Sequence, residues 1–255
     1  MRNRHLHLKK ALRAALFALL LSVVGMTKMY AYDFSAVCET GQTLYYNITD
    51  PVNHYVELAS PRHSGWSGYT KPTGNMVLPE NVEYDGVTYW VTSIGSKAFY
   101  NCRDLTSIEI PNSVTSIGQS AFEDCYSLAS IELPNSVTSI GNSAFSFCED
   151  LTSIEIPNSV ITIGDLAFCH CTGLTTVEIP NSLTSIGQFA FLNCSSLTSM
   201  TVWADNPPTL GGMSVGAMLS GLLCGAGVGL LVLFRMNKRF LKDNLITLCL
   251  LYFSG

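Results

Sequence analysis

The chain has 255 residues, enough for one elongated domain plus targeting elements, and it is apolar in balance, 47% hydrophobic against 13% charged. Its formal net charge is −5, yet between Tyr32 and Phe234 only Arg62, Lys71, Lys97 and Arg103 face eighteen acidic residues, a net of −14. No Lys or Arg occurs from Asp104 to Phe234. Nucleic acid is therefore excluded as a partner, because phosphate binding requires cationic side chains that displace counterions.

The first elements are targeting signals. Arg2, Arg4, Lys9, Lys10 and Arg13 precede the apolar run "AALFALLLSVVGM", which is followed by "TKMYAYDF" with the small residue Ala31. This is the three-part pattern of a secretory signal peptide over residues 1–31. Met29 stands where a small residue is usual before a cleavage site, so an uncleaved N-terminal anchor is the alternative. Cys38, after "FSAV", is a weak candidate for lipoprotein processing.

Residues 32–90 are rich in Tyr, Val and Thr with Gly, Pro and Asn breaks, and read as strands and turns. Within them "NVEYDGVTYWV" reads as a hairpin whose turn residues are Asp85 and Gly86. "MVLPENV" (76–82) reads as a divergent first repeat carrying that hairpin as an insertion.

From Leu105 the chain repeats itself. Units beginning at Leu105, Leu128, Leu151, Leu174 and, partially, Leu197 follow at 23-residue spacing without insertion. Each unit predicts one short strand, a proline turn, a second extended piece and a compact helical or 3₁₀ turn around "SAF". Pro111, Pro134, Pro157 and Pro180 act as strand terminators, since proline cannot donate a ladder hydrogen bond. One unit has too few apolar side chains to offset the entropy of ordering its backbone, so the units must stack. The predicted fold is a β-rich α/β solenoid over residues 91–208 with a parallel sheet on one face. Residues 32–90 then serve as an N-terminal β cap over the first open core.

The unit L-x-x-I-x-I-P-x-x-V-x-x-I-G-x-x-A-F-x-x-C resembles the BspA-like, Treponema-type class of bacterial leucine-rich repeats, over residues 91 to about 203. The resemblance implies a secreted or surface-exposed protein, a surface antigen acting in adhesion to host proteins or other cells.

Cys102, Cys125, Cys148, Cys171 and Cys194 recur at the repeat period in the inward pattern and are expected as buried free thiols. Cys169, His170 and Cys171 have the look of a metal clip, but no second Cys/His pair stands at ligand spacing, and no metal or cofactor is expected. Five histidines, two of them in the signal segment, and no nucleophile elbow leave no constellation for catalysis.

The position between the inward isoleucines is more informative. Glu109, Glu132, Glu155 and Glu178 are expected to form a carboxylate ladder on the exposed, concave face, with Ser107, Ser130, Ser153 and Thr176 as a parallel hydroxyl row. Screening by water and counterions is the bland reading of such a row of like charges. The functional reading is a face for a basic protein surface, a hydroxyl-rich glycan or a divalent cation. Near-identical units favour avidity over a single pocket.

The tail closes the sequence with an apolar segment. Residues 211–234 carry no charge, long enough as a helix to cross a bilayer, so a transmembrane helix is expected over 209–234. Arg235, Lys238, Arg239 and Lys242 follow and belong inside by the positive-inside rule, which leaves the repeats outside. Gly221, Gly225 and Gly229 form a helix-packing face, and a second apolar stretch begins within the basic segment 235–255. The sequence thus reads as a non-catalytic surface module that binds an extracellular protein or glycan of the host matrix or another cell, anchored or secreted. The alternative is a chimeric or truncated chain whose C-terminal part derives from a polytopic membrane permease.

Overall fold

The computed structural model describes residues 31–202 and 209–210. The expected signal segment, apart from Ala31, and the expected anchor and basic tail from residue 211 onward lie outside the described residues. Sixteen strands occur among the described residues, with no α-helix. Six precede the regular repeats: β1 (Phe34–Val37), β2 (Thr43–Asp50), β3 (Tyr55–Ala59), β4 (Gly74–Val77), β5 (Asn81–Tyr84) and β6 (Val87–Ile94). Ten follow: β7 (Leu105–Glu109), β8 (Ser116–Ile117), β9 (Ser130–Glu132), β10 (Ser139–Ile140), β11 (Ser153–Glu155), β12 (Thr162–Ile163), β13 (Thr176–Ile179), β14 (Ser185–Ile186), β15 (Ser199–Val202) and β16 (Thr209–Leu210).

Each repeat contributes two strands, because each contains two extended stretches with an inward isoleucine, valine or methionine. The "SIG" stretches build the longest sheet, in the order β1-β2-β3-β6-β8-β10-β12-β14-β16, with β5 also paired to β6. It is antiparallel from β1 to β3 and parallel from β3 onward. The "SIE" stretches build two further parallel sheets, β4-β7-β9 and β11-β13-β15. The expected sheet on one face is therefore accompanied by a second, longer one.

Two other expectations are corrected. The turn around "SAF" is not helical: residues 97 and 101 of the first such turn, and their counterparts in each later repeat, have φ between 53° and 62°. A helix needs consecutive right-handed residues with amides pointing along its axis. Here the amides of Lys97, Phe99 and Asn101 instead donate sideways to the carbonyls of Gln119, Ala121 and Glu123 in the next repeat, at 2.7–2.9 Å. The predicted 209–234 helix also begins too early, since Thr209 and Leu210 pair in parallel with Ser185 and Ile186. Among the described residues no helix is long and apolar enough to cross a membrane.

One continuous core runs the length of the described chain. Its spine is a stack of phenylalanines: Phe99, Phe122, Phe145, Phe168 and Phe191 sit with centroids 5.1–5.3 Å apart and planes within 4–6° of parallel. Offset stacking of identical rings at the repeat rise adds to the burial of each. Beside it the thiols of Cys125, Cys148, Cys171 and Cys194 donate to the carbonyls of Phe99, Phe122, Phe145 and Phe168, at 3.1–3.3 Å. Hydroxyls stitch the outside: Ser136, Ser159 and Ser182 donate to Val114, Val137 and Val160 carbonyls one repeat back.

The region ahead of the repeats joins both sheets. Met76 on β4 pairs with Ile108, so "MVLP" occupies the place that "IEIP" takes in a regular unit. Asp85 and Gly86, with φ of 53° and 75°, turn the chain between β5 and β6. Cys38 is 8% exposed, with its thiol 3.0 Å from the Thr40 hydroxyl. Lipidation there would require loss of β1, whose Phe34 is 5% exposed and stacked on Tyr46 and Tyr84.

Candidate functional site

The site residues sit on the "SIE" strands, where alternation alone decides their orientation. Ile108, Ile131, Ile154 and Val177 are buried, so their neighbours on either side face outward. Glu109, Glu132, Glu155 and Glu178 are all exposed, as are Ser130, Ser153 and Thr176, while Ser107 is half-buried.

Register brings these residues together in pairs. Glu109 is aligned with Glu132 and Ser107 with Ser130 across β7 and β9. Glu155 is aligned with Glu178 and Ser153 with Thr176 across β11 and β13. Neighbouring strands lie about 4.8 Å apart, so each pair opposes like charges at close range. The expected ladder of four is interrupted: β9 and β11 are neighbours that do not pair, and the row falls into two blocks of two glutamates.

The structure extends the row beyond the predicted residues. Val77 is aligned with Glu109 at one end and Thr201 with Glu178 at the other. Asn75 is aligned with Ser107, and its Oδ1 accepts from the hydroxyls of Thr106 and Ser107, both at 2.9 Å. The sequence signal was present in "MVLP" (76–79) and "MTVW" (200–203), which fill the "IEIP" frame with the glutamate replaced. The acidic stretch is thus bounded by Val77 and Thr201, a short charged block within a hydroxyl-rich strip.

Cations stand only at the N-terminal end of the repeats, and they are engaged elsewhere. Lys71 Nζ donates to the Asn101 carbonyl at 2.7 Å, Arg103 Nε donates to Asn101 Oδ1 at 2.8 Å, and the Arg103 guanidinium lies 5.0 Å from the Tyr126 ring. The field of the strip is consequently negative, and a cationic surface would meet it without competition from lysines of the same face.

The Cys169-His170-Cys171 stretch is spread over three environments. Cys171 belongs to the buried thiol column, Cys169 is 5% exposed, and His170 stacks on Phe147 at 4.4 Å with Nε2 3.0 Å from Asn193 Nδ2. Since the amide nitrogen donates, that ring nitrogen accepts. Among the described residues no three His, Cys, Asp or Glu gather around one point.

The comparisons concern this same repeat architecture. The family model for the BspA type leucine-rich repeat region matches residues 92–208, in six copies. Comparison with curated proteins gives no match. A leucine-rich repeat protein of T. pallidum is similar at 32% identity and TM-score 0.53, covering 67% of this chain and 79% of its own. A leucine-rich cell surface protein from Faecalibacterium prausnitzii is similar at 28% identity and TM-score 0.55, over 70% of this chain but only 47% of its own length. The pneumococcal vaccine antigen PcpA shares the fold, at 19% identity and TM-score 0.51, over 71% of this chain and 47% of its own.

Proposed function

This chain belongs to the BspA-type leucine-rich repeat family of bacterial surface proteins, and from that premise we propose that its solenoid is a non-catalytic module binding an extracellular protein. The binding face is the strip of Ser107, Glu109, Ser130, Glu132, Ser153, Glu155, Thr176 and Glu178, and the partner presents a basic surface to it. One observation carries the reading: four outward carboxylates occur at equivalent positions of successive strands, in a segment from Asp104 to Phe234 that has no Lys or Arg. Repetition lets weak contacts combine, so a partner with several basic residues gains avidity without a deep pocket. Adhesion to a host matrix or another cell is the role that such a surface serves. Residues 32–90 close the first repeat as a cap, and the uncharged run 211–234 tethers the repeats outside the membrane, a topology supported by the basic residues that follow it.

The test is a binding screen of the purified chain against immobilised extracellular-matrix proteins, followed by the combined Glu109→Gln, Glu132→Gln, Glu155→Gln, Glu178→Gln variant. Wild-type binding weakens with added salt, and the variant binds at least about tenfold more weakly with that salt dependence removed. Equal binding by both proteins would overturn the assignment of the strip. Protease treatment of intact cells that leaves the repeats uncut would overturn their surface display.

A further inference from the structure

A second face lies ahead of the repeats, on the outer side of the long sheet. Asn47, Glu57, Ser60, His63, Lys97 and Gln119 line a cleft of about 380 Å³. Asn47 Nδ2 donates to Glu57 Oε1 at 3.0 Å, which orients the carboxylate on the strand face. Gly95 keeps the space beside it open, because a Cβ there would stand 2.9 Å from Glu57 Cδ and collide with the Leu58 carbonyl.

Two residues before Glu57 on the same face of β3 stands Tyr55, about 6.6 Å away along the strand. Tyr55 is aligned with Trp90 on β6, and Trp90 with Asn81 on β5. The two aromatic residues are 40% and 43% exposed, whereas Val56, Leu58 and Val91 beside them are buried. The sheet therefore holds out an aromatic pair flanked by an amide on one side and a polar cleft on the other.

The chemistry of the cleft is mixed and balanced. It offers one carboxylate, one ammonium, an imidazole, two amides and the hydroxyls of Ser60 and Ser96, so neither an anionic nor a cationic ligand meets a field of one sign. A sugar hydroxyl both donates and accepts, which suits such a lining, and the apolar C–H face of a pyranose packs on an exposed aromatic ring. We propose that this face binds a neutral glycan, with one pyranose on the Tyr55–Trp90 platform and the hydroxyls of its neighbour in the Glu57 cleft. The site is separate from the glutamate strip and does not depend on it.

The test titrates the full chain with cellohexaose, maltohexaose, mannohexaose and chitohexaose, read by saturation-transfer NMR and by tryptophan fluorescence. At least one oligosaccharide binds saturably, with an affinity unchanged by added sodium chloride. Trp90→Ala and Glu57→Gln each weaken it by about tenfold or more, Trp90→Phe retains most of it, and the four-glutamate variant binds as wild type. Unchanged melting curves show that the exposed-site variants are folded. The proposal is overturned if none of the four binds at millimolar concentration, or if binding survives both Trp90→Ala and Glu57→Gln. It is likewise overturned if a gelatin probe, and no oligosaccharide, is the ligand these variants lose. Because the four-glutamate variant leaves this site intact, failure here and failure of the acidic strip are separate outcomes.

Discussion

The cysteine column shows what one residue per repeat can impose. Cys102, Cys125, Cys148, Cys171 and Cys194 are at most 3% exposed, and burial pushes every one of these thiols above its ordinary value, Cys125 and Cys194 to about 12. An unfolded thiol ionises near pH 9, while its native counterpart keeps its proton. Above that pH the unfolded chain binds fewer protons than the native one, so stability falls as pH rises. The stabilisation is fully present below about pH 9, and for Cys125 and Cys194 it is lost as pH climbs from about 9 to about 12. Each thiol then costs about 1.4 kcal/mol per pH unit within its window. We expect the urea midpoint, measured under reducing conditions, to be level from pH 7 to 8.5 and to drop steeply beyond. Replacing Cys125 and Cys194 by Ala makes that drop shallower, and a level wild-type profile through pH 10 would show that the thiols are not held in the stack. The inward place of this column was readable from the period, because a residue recurring in phase with Ile and Phe shares their side of the coil. The left-handed backbone at Phe147 and Leu166 was not readable, since bulky side chains ordinarily avoid that region and only the neighbouring repeat's carbonyls, of Cys169 and Gln188, explain it.

At the scale of the element, two-residue strands carry the longest sheet. A stretch as short as Ser116–Ile117 has no alternation to detect, so the sequence predicted an extended piece without its ladder. The invariable glycine after each such isoleucine was the missed signal. A Cβ on Gly141 would stand 2.7 Å from the Gly118 carbonyl carbon and 2.8 Å from Gln119 N, backbone atoms that cannot move without opening the stack. Gly118 meets Gly95 and Ser96 in the same way. Gly141→Ala is therefore expected to destabilise by about 1–3 kcal/mol through overpacking, although alanine ordinarily favours folding over glycine. Chemical denaturation compares it with Ser139→Ala, an outward change on the same strand that is nearly neutral. A stabilised Gly141→Ala protein would contradict the close approach of successive turns. The hairpin at Asp85–Gly86 was legible for the opposite reason: its turn chemistry is local and needs no partner. Pairing of Tyr55 with Trp90, 35 positions apart and outside the repeat, was not, because nothing in either strand specifies the other.

Across the whole molecule the stacking energy is a sum over neighbours. Phe145 touches Phe122 on one side and Phe168 on the other, and the hydroxyl and thiol ladders likewise reach one repeat back. A solenoid of this kind has intrinsic repeat terms and interface terms, so one internal unit can be removed if the phase is kept. Deleting residues 128–150 joins Ser127 to Leu151, which is the same place in the unit as Leu128, and re-forms every column with one member fewer. The deletion also brings β7 next to β11, removing the seam where β9 and β11 lie unpaired. We expect this protein to fold cooperatively, with a urea m-value lowered roughly in proportion to the lost surface, about an eighth of the described chain. A deletion of residues 128–138, half a period, puts Ser139 where Leu128 belongs and turns the apolar columns out of register. That variant should fail to unfold cooperatively. If both deletions behave alike, the continuous columns are not what holds the repeats together, and the tolerance must come from elsewhere in the chain. If only the in-phase deletion folds, the 23-residue period is the unit of stability as well as of sequence, and the glutamate strip can be shortened by whole blocks to measure how binding grows with each added carboxylate.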